Sequence, residues 1–167
     1  FNFKRYFCNI NYKQNIQQQY QGFIDTQALW DNTFIGLDQI NLIICKKPFN
    51  KINMSKKLRL GHLVEQFVFH ELNCNDNIEV LAENIQIIKD KITIGEIDCL
   101  LIKDNNPIHL EIIYKFYLYD ESFGNTELEH WIGPNRKDSL IEKITKLKNK
   151  QLPLLYKNET KNILDRS

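Results

Sequence analysis

The stretch Gly95-Glu96-Ile97-Asp98-Cys99-Leu100-Leu101, followed after a turn by His109-Leu110-Glu111-Ile112-Ile113-Tyr114-Lys115, decides how this chain folds. The first segment belongs to a run over residues 92–102 that alternates strongly, and the second belongs to a run over residues 108–118 that is rich in β-branched and aromatic residues. Both patterns are typical of β-strands. The turn between them, Asp104-Asn105-Asn106-Pro107, contains residue types that favour chain reversal. The pattern therefore predicts two neighbouring strands, each with carboxylates inside an apolar run.

Acidic side chains in these strands need an explanation, because they are disfavoured in sheets and costly to bury alone. If Asp98 and Glu111 point into one space, they repel each other unless a cation or a proton lies between them. Hard divalent cations such as Mg²⁺ prefer oxygen ligands and commonly bind carboxylates together with a substrate phosphate. The pattern indicates a metal site, and it is also typical of a half-exposed sheet whose polar face carries Glu96, Asp98, Glu111 and Lys115.

The flanking sequence predicts helices on both sides of a three-stranded meander. Ser55 is the candidate N-cap of a first helix from about residue 56 to residue 72, and a second helix is expected over about residues 136–152. The predicted strands cover residues 78–88, 92–102 and 108–118, and a helix is favoured over residues 12–22. We expect an N-terminal arm or extra helices over residues 1–54 and a core domain over residues 55–167.

Composition is that of a globular protein. The chain has 167 residues, of which 43% are hydrophobic and 26% are charged, and no apolar run approaches the ~18 residues of a membrane span. Its four cysteines include no C-x-x-C pair, which favours free thiols and a cytoplasmic location over a disulfide scaffold or a zinc knuckle.

Charge is distributed in blocks along the chain. Residues 46–60 contain six basic and no acidic residues, residues 61–130 contain four basic and fourteen acidic ones, and residues 131–167 contain nine basic and four acidic ones. An acidic middle between basic segments suits a metal site bordered by phosphate-binding surface, although solvated surface explains the same pattern.

The two carboxylate segments resemble the core of the PD-(D/E)XK nuclease superfamily. The resemblance implies an α/β fold with a restriction-endonuclease-like αβββαβ core, in which helices flank a mixed central sheet. It also implies metal-binding roles for Asp98, Glu111 and the main-chain carbonyl of Ile112. Glu65 on the first helix would reach the metal directly or through water, and Lys115 would be the catalytic lysine.

A closer resemblance, to domain-of-unknown-function family 1853, covers about residues 58–153. That family is grouped with the PD-(D/E)XK nucleases by fold resemblance, and its activity is not established. The matching signatures are Arg59-Leu60-Gly61, Gly95 to Asp98, Leu110-Glu111, Lys115 to Leu118, Trp131-x-Gly133-Pro134-Asn135, Asp138, Leu140, Lys143 and Gln151-Leu152-Pro153.

One departure concerns the lysine. The superfamily places it two residues after the acid, and that position is Ile113 here. At ~3.3 Å per residue, Lys115 starts about 13 Å along the strand from Glu111. Its side chain leans back, or a bulge shortens the distance, or the lysine role belongs to another residue such as Lys143 or is absent.

These patterns lead to the expectation of a Mg²⁺- or Mn²⁺-dependent nuclease that hydrolyses phosphodiester bonds, with DNA favoured over RNA as partner. Lys143, Lys146 and Arg136 are the candidate phosphate-binding residues. The rival hypotheses are a non-catalytic nucleic-acid-binding or interaction module and a structural partner whose carboxylates are merely paired. No membrane contact is expected, and the oligomeric state stays open, with a homodimer as one option.

Three further residues have expected roles. Asn135 is the candidate cap of the second helix. His109 lies on the face of Glu111, where a surface position is favoured over an approach to the site. Gln151 lies on the apolar stripe of its helix, which favours a buried hydrogen-bonding role over contact with DNA.

Overall fold

The computed structural model describes residues 12–30, 32–49 and 58–164, which form a mixed α/β arrangement of helices and small sheets. The predicted α/β class is confirmed at this level. Every strand pairing within these ranges is antiparallel, which differs from the mixed central sheet expected from the resemblance. None of the helices described is long and apolar enough to cross a bilayer. The chain divides into two compact units, residues 1–74 and 75–167.

The first unit contains α1 (Tyr12–Ile24), a short hairpin of β1 (Thr33–Phe34) and β2 (Leu37–Asp38), and α2 (Leu60–Asn73). Its core is aromatic, because the rings of Tyr20, Phe49 and Phe67 pack with centroids 4.8 to 5.7 Å apart. Both predicted helices of this region are present, and the predicted cap at residue 55 lies outside the described residues.

A disulfide joins Cys45 to Cys74, whose Cα atoms are 5.7 Å apart. The expectation of free thiols is therefore wrong for these two cysteines. They are 29 residues apart in sequence, so no local spacing reveals the pair, and only the tertiary structure brings them together. Cys99 is free, as expected, and it is buried; Cys8 lies outside the described residues.

The second unit is built on an antiparallel sheet in the order β3 (Ile78–Lys89), β4 (Ile92–Lys103) and β5 (Asn106–Leu110). Both connections are two-residue turns whose central residues have positive φ. These are Asp90 and Lys91 in the first turn, and Asp104 and Asn105 in the second. Positive φ at both positions is the type I′ geometry that matches strand twist. The predicted meander is therefore confirmed.

The third strand is much shorter than predicted. Its pairing with β4 ends at Leu110, and residues 111–117 leave the sheet before β6 (Leu118–Tyr119) pairs with β7 (Trp131–Ile132). The cause is a change of hydrogen-bond partner, because the N–H of Ile112 donates to the carboxylate of Asp98 at 2.7 Å. A side-chain acceptor thus ends the pairing of β4 with β5, although the β-branched and aromatic residues that follow favour a strand as far as residue 118.

The second predicted helix starts later and changes form along its length. After the short α3 (Glu127–His130), the chain forms α4 (Leu140–Lys146), a π-helical segment (Leu147–Gln151), a 3-10 helix (Leu152–Tyr156) and α5 (Asn158–Leu164). The cap is Ser139, which exchanges side-chain and main-chain hydrogen bonds with Glu142 in a capping box, so the assignment of Asn135 is wrong. Asn135 instead lies in a turn closed by the Arg136 N–H on the Gly133 carbonyl, at 2.8 Å.

Gly95 permits close packing of the 3-10 helix on β4. A Cβ atom at this position would lie 2.4 Å from the Cδ1 atom of Leu154, whose side chain is 2% exposed. Leu154, Ile87 and Ile97 form one buried cluster, so Leu154 cannot move without disturbing that core. This contact explains why the strand carries a glycine immediately before its carboxylates.

We predict that Gly95→Ala lowers the free energy of unfolding by about 1–3 kcal/mol, because the added methyl overpacks the Leu154 cluster. Urea unfolding followed by circular dichroism measures the change. Gly61→Ala is the matched control, since nothing lies within 4 Å of its added Cβ and alanine favours a helix. An unchanged stability of Gly95→Ala would contradict the packing argument.

Candidate metal and nucleic-acid site

Asp98 and Glu111 occupy neighbouring positions on adjacent strands. The last pairs of the β4–β5 ladder are Leu100 with His109 and Cys99 with Leu110, so Asp98 and Glu111 come next in the same register. Directly opposed residues of an antiparallel pair project from the same face. The Ile112 N–H that donates to Asp98 Oδ2 at 2.7 Å holds the two segments together at this point.

The carboxylate of Glu111 is sequestered and accepts two hydrogen bonds. His109 Nε2 donates to Oε1 at 2.7 Å, and Gln151 Nε2 donates to Oε2 at 3.2 Å. The side chains of His109 and Glu111 are only 7% and 6% exposed, so the expected surface position of His109 is wrong. A carboxylate has about four lone-pair sites, so these donors orient Glu111 and leave acceptor capacity for a cation.

Gln151 reaches Glu111 from the last residue of the π-helical segment. The same amide lies 3.5 Å from the main-chain oxygen of Glu96, so it links the helix to both strands. The hydrogen-bonding role expected for Gln151 is therefore observed. The hydrogen bonds of a π-helix span five residues instead of four. Short π-helical segments are frequent at functional sites, and Gln151 ends such a segment here.

Lys143 of α4 lies within electrostatic range of both carboxylates. Burial is the main cause that lowers the pKa of Lys143 below its ordinary value, and the charges of Lys146 and Lys115 act in the same direction. The carboxylates of Asp98 and Glu111 act against this shift. The amine is thus partly desolvated, near two acids and two other amines.

Lys115 makes a different contact from the one that the catalytic prediction requires. Its Nζ atom forms an ion pair with Asp138 Oδ2 and lies 5.6 Å from the centroid of the Tyr117 ring. Gly133 makes room for this partner, because a Cβ atom there would lie 2.1 Å from Asp138 Oδ1. The Gly133 and Asp138 positions of the sequence signature are therefore linked by geometry to Lys115.

The remaining candidate residues occupy separate places. Lys146 is exposed at the end of α4, and Arg136 is exposed in its turn with Nη2 3.0 Å from Asp120 Oδ2. Glu65 is on α2 in the first unit, where its Oε2 atom lies 3.0 Å from His62 Nδ1. These positions leave the phosphate-binding and metal-binding roles of the three residues as predictions.

Asp98 and Glu111 offer carboxylate oxygens, and the main-chain carbonyl of Ile112 stays a predicted third ligand. In the part of the chain that the structure describes, no further His, Cys, Asp or Glu completes a group of three ligands with both of them. An ion here would take its other ligands from the main chain, water and a phosphate, which is the usual coordination of Mg²⁺. The residues present therefore fit a hard cation that takes only a few of its ligands from the protein.

Sequence reasoning placed His109 on the face of Glu111 and gave Gln151 a hydrogen-bonding role, but it did not identify Glu111 as the acceptor of both. The i, i+2 spacing of His109 and Glu111 on one strand was a usable signal, because both side chains project from one face. The contact between Gln151 and Glu111 had no local signal, since forty residues separate them.

The comparisons with known proteins identify a family without a described activity. A family model described as a domain of unknown function (DUF1853) matches residues 41–167. No curated protein and no solved structure matches the chain significantly. Because the match covers most of the chain, this protein belongs to the DUF1853 family.

Proposed function

We propose that this protein is a Mg²⁺- or Mn²⁺-dependent nuclease that hydrolyses phosphodiester bonds, with a PD-(D/E)XK-type core. The observation that carries the proposal is the adjacent placement of Asp98 and Glu111, held by the Ile112 hydrogen bond beside a partly buried lysine. The chain order of helix, three antiparallel strands and helix supports the restriction-endonuclease-like assignment. That assignment remains part of the proposal.

Asp98 and Glu111 would hold the ion, and their hydrogen bonds set the direction from which it is bound. When bound, a divalent ion activates water and neutralises charge on the scissile phosphate. Glu111 is fixed by two donors, and Asp98 is fixed by the Ile112 N–H, so both ligands are oriented before substrate arrives. Fixed ligands reduce the cost of ordering the site on binding.

Lys143 is our preferred catalytic lysine. Its amine interacts with both carboxylates, and its lowered pKa brings it closer to the range in which an amine exchanges a proton at neutral pH. Lys115 remains the alternative from the sequence pattern, but its charge is already compensated by Asp138. An amine placed by α4 would substitute for the lysine missing at position 113.

The second candidate function is a non-catalytic nucleic-acid-binding module. The ion pair between Lys115 and Asp138 favours this binding module, because it holds the amine of the lysine expected to be catalytic on another side chain. The exposed Lys146 and the other lysines of the same helical stretch would then contact the backbone electrostatically. DNA is the preferred partner of either function.

The metal site predicts a specific loss of Mn²⁺ binding. In calorimetric titrations, we expect Asp98→Asn and Glu111→Gln each to weaken Mn²⁺ binding at least about 10-fold, since each removes a charged oxygen ligand. Glu79→Gln is the control, because this exposed acid lies on β3 of the same sheet. Equal Mn²⁺ affinity of Asp98→Asn and the wild type would exclude the proposed site.

The lysine assignment predicts different effects on cleavage. With labelled single- and double-stranded DNA and RNA in Mg²⁺ or Mn²⁺, we expect Lys143→Met to lower the cleavage rate about 100-fold or more while DNA affinity stays within a few-fold. Lys115→Met should cost less activity and mainly destabilise the contact with Asp138. Lys150→Met is the control for losing one exposed positive charge from the same helical stretch.

Two outcomes would contradict this assignment. If Lys143→Met cleaves at the wild-type rate, Lys143 has no catalytic role and Lys115 becomes the candidate catalytic lysine. DNA binding without cleavage of any substrate by the wild type would support the binding module instead. Gel electrophoresis of the labelled products separates cleavage from binding.

A further inference from the structure

A second set of metal-ligating side chains lies in the first unit and shares no residue with the proposed nuclease site. One ligand atom each from Cys45, His70 and Cys74 lies within 4.8 Å of the other two. Ligands of a tetrahedral Zn²⁺ ion, at about 2.3 Å for sulfur and about 2.0 Å for nitrogen, are separated by somewhat less than this distance. Small side-chain adjustments would therefore bring all three onto one ion.

The end of α2 supplies two of the three ligands. His70 is in the last turn of the helix, and Cys74 is its C-cap residue. A spacing of four places both side chains on the same side of the helix, as in the i, i+4 pairs of other metal sites. This spacing was not recognised in the sequence because it combines a histidine with a cysteine.

The third ligand is held beside the helix by a buried acid. Glu71, which is 2% exposed, accepts a hydrogen bond from the main-chain N–H of Cys45 at 2.8 Å and another from the Tyr20 hydroxyl. These contacts fix the segment that carries Cys45 through its main chain, independently of the disulfide. The site would thus keep its framework when the disulfide is reduced.

The hydrogen bonds around the ligand atoms suit metal coordination. The Lys47 N–H lies 3.4 Å from Cys45 Sγ, and a donor of this kind stabilises a thiolate. His70 Nε2 lies 3.3 Å from the Lys47 carbonyl oxygen, which can only accept, so this nitrogen carries the proton. With the proton on Nε2, the neutral tautomer would have its lone pair on Nδ1, and a carbonyl partner is typical of metal-ligating histidines.

We propose that Cys45, His70 and Cys74 form a redox-controlled zinc site, closed as a disulfide when oxidised and able to bind Zn²⁺ when reduced. Two thiolates and one imidazole are the donor set that Zn²⁺ favours, and water would fill the fourth tetrahedral position. Two thiolates also neutralise the charge of the ion.

The redox step balances with a tertiary phosphine as reductant. The phosphine and one water molecule become the phosphine oxide, and the disulfide gains two electrons and two protons to give two thiols. Binding of Zn²⁺ then releases both thiol protons. In the opposite direction, hydrogen peroxide takes two electrons from the two thiolates and, with two protons, becomes two water molecules, while the disulfide closes and Zn²⁺ is released.

Cobalt titration tests the proposal on the full chain. The protein carries Asp98→Asn and Glu111→Gln, which weaken binding at the proposed nuclease site. The thiolate-to-cobalt absorption cannot arise from that site, so the two proposals fail separately. After phosphine reduction, we expect one Co²⁺ per chain with thiolate-to-cobalt charge-transfer absorption, and displacement of Co²⁺ by Zn²⁺. The oxidised protein should show no such absorption, which tests the cysteines without a substitution.

Substitutions assign the ligands. Cys45→Ser and Cys74→Ser should each abolish the charge-transfer absorption or weaken binding by about 100-fold, and His70→Ala should weaken it at least about 10-fold. Cys8→Ser and Cys99→Ala are the matched thiol controls and should retain it, with circular dichroism to verify folding of every variant. Absence of the absorption in reduced, folded protein, or its persistence in Cys45→Ser and Cys74→Ser, would overturn the proposal.

Discussion

The hydrogen bond from the Ile112 main chain to the Asp98 carboxylate is the interaction on which the second unit depends. It occurs where the β4–β5 ladder would otherwise continue, and it replaces a main-chain acceptor with a side-chain acceptor. A partly buried carboxylate is costly without donors, so this N–H stabilises Asp98 as it ends the strand. The chain is then free to leave the sheet, and Lys115 meets Asp138 rather than extending along β5.

The helical stretch after Ser139, which follows the strands in sequence, packs on the same two strands. Leu154 packs against Gly95 and Ile97, while Gln151 of the same stretch donates to Glu111. Apolar packing and hydrogen bonding thus position one continuous piece of chain on two strands. A larger side chain at Gly95 would therefore also disturb the hydrogen bond from Gln151 to Glu111. Both this hydrogen bond and the packing of Leu154 on Gly95 depend on how closely the helical stretch approaches the sheet.

The sequence predicted those features that depend on local periodicity. The meander, its turns and the first helix follow from alternation, turn residues and apolar spacing, and the structure agrees with each of them. The length of β5 was wrong because its end is set by a side chain on another strand. The cap of α4 was wrong because Asn135 and Ser139 both satisfy the cap preference, and the choice depends on the turn at Gly133 and on Glu142.

Candidate site residues could be predicted only where the residue pattern of a single strand marked them. Asp98 and Glu111 stand out as acids within apolar runs, and His109 shares a strand face with Glu111, whereas the donor Gln151 is forty residues away and is defined only by the tertiary structure. The disulfide also depends on tertiary contacts, since Cys45 lies beside the end of α2, where its main-chain N–H donates to Glu71. Long-range polar contacts were therefore the features least accessible from sequence.

The two proposed metal sites differ in chemistry as well as in place. Asp98 and Glu111 offer hard oxygen ligands, which suit Mg²⁺ or Mn²⁺ and do not respond to a thiol reductant. Cys45 and Cys74 offer sulfur, whose ability to bind metal depends on its oxidation state. A change in redox conditions would thus alter the first unit without changing the ligands of the second.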